Sequence, residues 1–200
     1  MVAVRLRTND APTDDQIVVL YNLTWQDYQR LLAARGDVSS PRMSFLKGAL
    51  EIMSPSRSHE SITSRIGCLV EAYCMLKGIE LEAVGSWTLK DEKLEQGLEP
   101  DECYIVGEHD SDRPDLAIEV VWTSGGINKL EVYRSLGVRE VWYWRLGKIT
   151  IHLLRDDVYE QAAASTALPG IDLEQLASFL DRPKMTQAVR EYRAALEAAR

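Results

Sequence analysis

Cysteine is scarce in this 200-residue chain, and the three cysteines, Cys68, Cys74 and Cys103, form no CxxC pair. This odd number and spacing argue against a disulfide framework and a zinc site, so we expect three reduced core thiols. Positive charge is also scarce, since 23 Lys and Arg face 31 Asp and Glu, with a formal net charge of -8. That balance counts against a nonspecific nucleic-acid binder but permits an enzyme whose own site is acidic and binds metal.

Long apolar runs are absent as well. No run approaches the roughly 20 residues of a membrane-spanning helix, and residues 1–15 lack the apolar core and cleavage pattern of a signal peptide. We therefore expect a cytoplasmic protein with no membrane partner. The length and the 46% hydrophobic content suffice for one sizeable core. They predict a single domain over residues 1–200, with its core at about 40–155.

The order of the sequence patterns is typical of an α/β fold. Helical periodicity covers five segments, residues 24–36, 58–77, 127–136, 173–180 and 185–198. Strand patterns cover residues 43–46 and 49–52, four segments that begin at residues 79, 86, 101 and 115, and two segments around Gly147. We therefore predict a mixed β-sheet flanked by helices, with an N-terminal hairpin and a C-terminal helical tail at 171–200. Ser58 is the expected cap of the second helix.

One acidic residue, Glu119, lies inside the apolar run "LAIEVVW". Burying a carboxylate without a partner costs several kcal/mol, so a cation, a proton or a hydrogen-bond donor must be near it. Asp115 is on the same strand face but about 13 Å away, at about 3.3 Å per residue. Asp101 begins the preceding strand, and neighbouring strands lie about 4.8 Å apart. Asp101 and Glu119 are therefore the predicted pair.

Two carboxylates on adjacent strands either share a proton or hold a divalent cation that polarises a phosphate. A lysine nearby favours the second use, because it positions the attacking water and stabilises charge on phosphorus. The structural alternatives are an ion pair for Glu119, a turn residue for Asp101 after Pro100, and a solvated helix residue for Lys129.

The segments "GALEIMSPSRSHE", "LEPDECYIV" and "PDLAIEVVWTSGGINKLEVYRSLGVREVWYW" resemble the Uma-two family of restriction endonuclease-like proteins, also called domain of unknown function 820. This family is part of the PD-(D/E)XK nuclease superfamily. The resemblance implies a restriction-endonuclease-like fold, Asp101, Glu119 and Lys129 as catalytic residues, and Mg²⁺ or Mn²⁺ bound by Asp101 and Glu119. In the superfamily a lysine stands two positions after the second acid. Val121 occupies that position here, and Lys129 of the next helix takes the lysine's place.

Two further residues, His59 and Glu60, are second-rank site candidates. The resemblance places His59 at a recurring position, and superfamily members often bring an acid of the first helix to the metal. Glu60 has the alternative use of stabilising the helix N-terminus through the helix dipole. Where the family often has acids in the first hairpin strand and at its turn, this chain has Ser44 and Lys47.

The expected function is a Mg²⁺-dependent endonuclease that hydrolyses phosphodiester bonds, with DNA as substrate and a homodimeric organisation. One alternative is a binding or assembly module that keeps the nuclease fold without turnover, because fold alone does not imply activity. A second alternative is a hydrolase whose two carboxylates share a proton. The second alternative predicts activity that survives a chelator.

Overall fold

The computed structural model describes residues 14–109, 111–123 and 126–198, which form eleven strands and five helices. The prediction that the N-terminal segment is not a signal peptide concerns residues 1–15, and residues 1–13 lie outside the described residues. In chain order the elements are β1 (Gln16–Leu20), α1 (Trp25–Arg35), β2 (Arg42–Leu46), β3 (Ala49–Ser54), α2 (Arg57–Lys77), β4 (Leu81–Ala83), β5 (Leu89–Asp91), β6 (Gln96–Leu98), β7 (Glu102–Val106), β8 (Leu116–Val120), α3 (Lys129–Ser135), β9 (Glu140–Arg145), β10 (Lys148–Arg155), β11 (Val158–Ala162), α4 (Leu173–Ala177) and α5 (Met185–Ala198).

The strands form two sheets. A five-stranded antiparallel sheet has the order β1-β3-β2-β6-β5, and a six-stranded sheet has the order β11-β10-β9-β8-β7-β4. The second sheet is mixed, because β8 and β9 are parallel while the other pairs of neighbouring strands in this sheet are antiparallel. The predicted class is confirmed: a mixed α/β fold with helices beside the strands, an N-terminal hairpin of β2 and β3, and a helical tail. The single-domain organisation stays a prediction.

The sequence patterns indicated one sheet rather than two, because β1, β6 and β11 were not recognised as strands. The strands β1 and β11 form sheet edges and are largely exposed. The apolar run at residues 17–20 could have identified β1, whereas β11 has no such run. Strand β6 has only three residues. Within the described ranges, no helix is both long and apolar enough to cross a membrane.

Serine caps fix where the long helix α2 begins. Ser56 rather than Ser58 is the N-cap, since its backbone is extended and its side chain accepts a hydrogen bond from the backbone N–H of His59 at 3.2 Å. The prediction of Ser58 was wrong by two positions because "SPSRS" offers three serines with the same local chemistry. With Ser56 as the cap, His59 is the third residue of the helix, and its side chain is buried.

Strand β8 is the central strand, and all five of its residues are buried. Leu116, Ile118 and Val120 pack into the core between the six-stranded sheet and helix α2. Ala117 faces the opposite way, into the core that residues of α3 and of the five-stranded sheet also form. Because side chains alternate along a strand, Glu119 points to the same side as Ala117, toward the junction of the two sheets.

Candidate active site

The two predicted acids lie side by side on β7 and β8. The antiparallel register pairs Glu102 with Ile118, and one further step in that register sets Asp101 opposite Glu119. Both residues are buried, with 3% and 2% of their surface exposed. Asp101 Oδ2 accepts a hydrogen bond from the backbone N–H of Val120 at 2.7 Å, which ties the end of one strand to the other. The pairing deduced from strand spacing is therefore the one that the fold contains.

Helix α3 brings two donors to Glu119. Lys129 Nζ lies 2.6 Å from Glu119 Oε2, and the Tyr133 hydroxyl donates a short hydrogen bond to Glu119 Oε1. The two donors are four residues apart, so they lie on the same face of the helix, one turn from each other. The periodicity predicted a helix that begins at residue 127, but the helix begins at Lys129. This start places the lysine directly behind the carboxyl end of β8.

The first turn of α2 places His59 between two carboxylates. His59 Nδ1 lies 3.0 Å from Asp15 Oδ2 in hydrogen-bond geometry. His59 Nε2 lies 3.0 Å from Asp101 Oδ1, within ion-pair distance, but the two atoms are not aligned as a hydrogen bond. Asp15 Oδ1 also accepts from the backbone N–H of Ser56 at 2.8 Å. His59 is therefore a neighbour of the predicted acid pair, held from behind by Asp15.

Glu60 takes no direct part in this cluster. Its side chain is 48% exposed, and Oε1 lies 3.0 Å from Arg42. Arg42 is buried and also approaches Asp101 Oδ1, at 3.1 Å. Glu60 thus contacts the acid pair only through the guanidinium of Arg42, whereas His59 contacts it directly.

A small cavity of about 90 Å³ opens onto the cluster. Its polar lining comes from both sheets and from helices α2 and α3: Asp15, Glu51, His59, Thr123, Lys129, Glu119 and Tyr143. Asp101 is not among the lining residues, and it lies directly behind His59 and Val120. The site is therefore a narrow pocket in which Glu119 and Lys129 are accessible and Asp101 supports them from the next strand.

A match to a family model shows which family the chain belongs to. The family described as "Uma2: Putative restriction endonuclease" matches residues 25–181. The chain belongs to the Uma2 family. The matched region includes Asp101, Glu119 and Lys129 and stops before α5. The resemblance read from the motifs is thus confirmed.

No curated protein matches this Uma2 chain. Among solved structures, a "putative nuclease belonging to DUF820" from Anabaena variabilis is similar at 14% sequence identity, with a TM-score of 0.48. The match covers 85% of this chain and 99% of that chain.

The surroundings of the two carboxyl groups in the Uma2 site shift their pKa values in opposite directions. Burial raises the pKa of Glu119, and the nearby Asp101 raises it further against the opposing effect of Lys129. Burial also acts on Asp101, but His59, Lys129 and Arg42 outweigh it and lower the pKa of Asp101 to about 2. At neutral pH, Asp101 is therefore the more firmly ionised of the two, as expected when one member of an acid pair has the closer cations.

The lysine remains charged. Burial by itself lowers the pKa of Lys129, but the carboxylates of Glu119, Asp101 and Glu51 raise it above its ordinary value. Lys129 is therefore a fixed ammonium group at neutral pH, able to donate hydrogen bonds and unable to accept a proton. Its chemistry in the pocket is that of a cation rather than of a base.

The donor chemistry of the site suits a hard divalent ion. Mg²⁺ binds through one or two carboxylates and completes its octahedron with water and substrate oxygens. Asp101 Oδ1 is a buried oxygen without an aligned hydrogen-bond donor, and Glu119 opens onto the cavity. Across the described ranges, no three His, Cys, Asp or Glu side chains converge as a metal-binding group. The carboxylates of Asp101 and Glu119 thus have the donor chemistry for such an ion, but Arg42 and His59 already lie 3.1 and 3.0 Å from Asp101 Oδ1, and the described residues do not form a closed structural metal site.

Several neighbours of the pair were not found from the sequence. Glu51 of β3 accepts a hydrogen bond from the backbone N–H of Ile127 at 2.9 Å, and its charge acts on Lys129. It stands in the apolar run "ALEIM", so the reasoning applied to Glu119 would have identified it. Asp15 and Arg42 had no such signal, because they lie in a polar segment and next to a proline.

Proposed function

We propose that this Uma2 protein is a divalent-metal-dependent nuclease that hydrolyses phosphodiester bonds in DNA. Asp101 and Glu119 would hold Mg²⁺ or Mn²⁺, and Lys129 would act beside them. When bound, the ion supplies Lewis-acid activation of the phosphate and of the attacking water. The observation that carries the proposal is the contact between Lys129 Nζ and Glu119 Oε2, at 2.6 Å, in a cavity that backs onto Asp101.

The protein's own groups provide orientation and charge. Glu119 holds the Lys129 ammonium in place, and Tyr133 holds Glu119 in turn. Since Lys129 stays protonated, its remaining N–H groups can donate to the negative charge that develops on phosphorus. The proposal is therefore supported by a cation, Lys129, and a carboxylate, Glu119, that line one small pocket, with the carboxylate of Asp101 directly behind it.

A second candidate function is a binding or assembly module with the nuclease fold and no turnover. It is supported by the engagement of both Glu119 oxygens with Lys129 and Tyr133, and by the complete burial of the Asp101 side chain. A metal would have to compete with these contacts. The homodimer and the cytoplasmic location stay predictions.

Metal titration and cleavage separate the candidates. We expect calorimetry to detect Mg²⁺ or Mn²⁺ binding, and gel assays to detect cleavage of single-stranded or duplex DNA that a chelator abolishes. Glu119→Gln should remove both, because it keeps the shape and removes the charge. Glu131→Gln is the matched control, since it makes the same chemical change on helix α3, where Glu131 pairs with Lys47 away from the cavity. Activity that survives the chelator would point instead to a proton-sharing dyad, and no binding with no cleavage would favour the module.

Lys129→Ala tests the role of the ammonium. We expect it to leave metal binding in place and to lower the turnover by about 10²–10³-fold, the usual cost of losing one donor to a transition-state anion. Circular dichroism would verify folding of the variant. An unchanged rate and pH profile would exclude Lys129 from the reaction.

A further inference from the structure

A second, larger depression lies beside the cavity. It measures about 770 Å³ and is formed mainly by the β9–β10 hairpin and the start of α3, so we name it the β9–β10 groove. Four of its lining residues, Val121, Ile127, Lys129 and Tyr143, also line the cavity. A ligand in the groove therefore lies directly against the candidate active site.

The charge of the groove is opposite to that of the molecule. The chain has a formal net charge of -8, yet no Asp or Glu is among the described residues that line the groove. Arg145 and Lys148 are exposed on its rim, and within the described ranges neither has an acidic side chain at ion-pair distance. Two free cations beside a buried acidic pair suit an anionic ligand that extends past the reacting phosphate.

The floor of the groove is apolar. Ile127, Leu130 and the half-buried ring of Tyr143 line it, and Leu146 stands at its edge with 87% of its surface exposed. Leu146 also has a positive φ of 50° in the two-residue turn with Gly147, a conformation that Asn, Asp and Gly adopt at much lower cost. An exposed leucine in that conformation weakens the turn, which indicates a use other than stability.

We propose that the β9–β10 groove binds one unpaired nucleotide of the substrate strand, next to the phosphate that is cleaved. Arg145 and Lys148 contact the phosphate of this nucleotide, and its base lies against Tyr143, Leu130 and Leu146. A base inside a duplex is covered by its neighbours on both faces, so only an unstacked base can use an apolar floor of this kind. The inference rests on the proposed nuclease function and adds a preference for single-stranded or locally opened DNA.

Binding of a fluorescently labelled single-stranded 12-mer, in chelator so that no cleavage occurs, tests the proposal. The probe should bind the wild type more tightly than the same sequence as a duplex. Arg145→Ala with Lys148→Ala should weaken binding of the single strand about tenfold and reduce the slope of log affinity against log salt by about 0.7, the value for one neutralised phosphate of a single strand. Lys93→Ala with Lys184→Ala makes the same charge change at two exposed positions outside the groove and should leave affinity and slope unchanged.

Leu146→Asn separates binding from folding. Asn suits the positive φ at this position, so the variant should unfold at a higher denaturant concentration than the wild type and yet bind the 12-mer about fivefold more weakly, the lower end for loss of one base contact. A 12-mer with an abasic position should lose affinity for the wild type and lose less for Leu146→Asn. A merely structural role for Leu146 would not produce these opposite effects.

The outcomes distinguish this inference from the proposed function. Metal-dependent cleavage by the wild type together with unchanged binding by the Arg145/Lys148 variant would contradict nucleotide binding in the β9–β10 groove but not the proposed nuclease activity. Tighter binding of the duplex than of the single strand would contradict the binding of an unpaired nucleotide in the groove. Absence of both binding and cleavage for every DNA would overturn both proposals.

Discussion

Four glutamates are buried among the described residues, and three of them, Glu99, Glu140 and Glu119, have different kinds of partner. Glu99 binds the guanidinium of Arg35 through both oxygens, at 2.5 and 2.6 Å. Glu140 accepts hydrogen bonds from an indole, a hydroxyl and backbone N–H groups. Glu119 pairs with Lys129 and is the one of these three that lines the cavity. A buried carboxylate is therefore not functional by itself, and what sets Glu119 apart from Glu99 and Glu140 is its access to a space that a ligand can enter, a space that Glu51 also lines.

The residue that holds Glu119 gives the first prediction. The Tyr133 hydroxyl donates to Glu119 and lowers the pKa of this carboxyl against the larger effect of burial. In Tyr133→Phe that pKa should rise further, so we expect the midpoint of Mg²⁺ binding in a pH titration to move to higher pH. The loss of a hydrogen bond to a charged group should also lower the free energy of unfolding by about 1.5–3 kcal/mol.

Tyr159→Phe is the control for this change. The Tyr159 hydroxyl donates to the backbone carbonyl of Val138, so its removal also deletes a partly buried hydrogen bond, but away from Glu119. Calorimetry at several pH values should show the shift for Tyr133→Phe alone. An equal shift in both variants, or none in either, would contradict the role of Tyr133.

At the scale of elements, the connection between β8 and α3 sets the position of the lysine. Gly126 in this connection has a φ of +96°, and a methyl group there would overlap the carboxylate of Glu51. The backbone therefore passes against a side chain of the other sheet at this point. Gly126 and Ile127, which precede α3, are therefore in contact with Glu51 of β3.

Gly126→Ala tests this packing. Gly107 has the same φ of +96°, but a methyl group there meets only an ordinary contact at 3.7 Å, so Gly107→Ala is a matched control. We expect each variant to lose about 1–2 kcal/mol of unfolding free energy from the positive φ, and Gly126→Ala to lose more because Glu51 must move. Urea denaturation measures both. Equal losses would show that Glu51 yields without cost.

The same elements show what the sequence can predict. The hairpin of β2 and β3 and the helix α2 have long, regular apolar patterns, and the pairing of Asp101 with Glu119 follows from strand spacing alone. The contacts of Asp15 with His59 could not be predicted, because they join residues 44 positions apart and depend on how the edge strand β1 adds to the sheet. Local periodicity has no information on such contacts.

At the scale of the whole molecule, the candidate site lies where the two sheets meet. Glu51 and Asp15 belong to the side of the five-stranded sheet, Glu119 and Tyr143 come from the six-stranded sheet, and His59 and Lys129 come from helices that begin between them. The cavity therefore exists only when both sheets are folded and packed. Loss of either core should remove the site as a consequence.

Two of the cysteines lie in different hydrophobic cores. Cys74 of α2 is in the core between this helix and the six-stranded sheet, and Cys103 is in the core between the two sheets. Burial raises the pKa of Cys74 to about 11 and that of Cys103 to about 12, from the ordinary value of 9.0. At pH 8 we expect a thiol reagent to modify both residues slowly in the folded protein and quickly after denaturation, with the half-buried Cys68 faster than either.

The raised pKa values also give stability a pH dependence. Above about pH 9 the thiols of the unfolded chain lose their protons while those of the folded chain keep them, so the unfolding free energy should fall as pH rises from about 9 toward 11–12. The contribution of the two thiols is fully present below pH 9 and is lost as pH approaches 11–12. A Cys74→Ala, Cys103→Ala variant lacks both buried thiols, so urea denaturation of both proteins across this range measures the contribution of the thiols together with their effect on neighbouring tyrosines. A decline just as steep in the variant would show that the two cores do not shield the thiols.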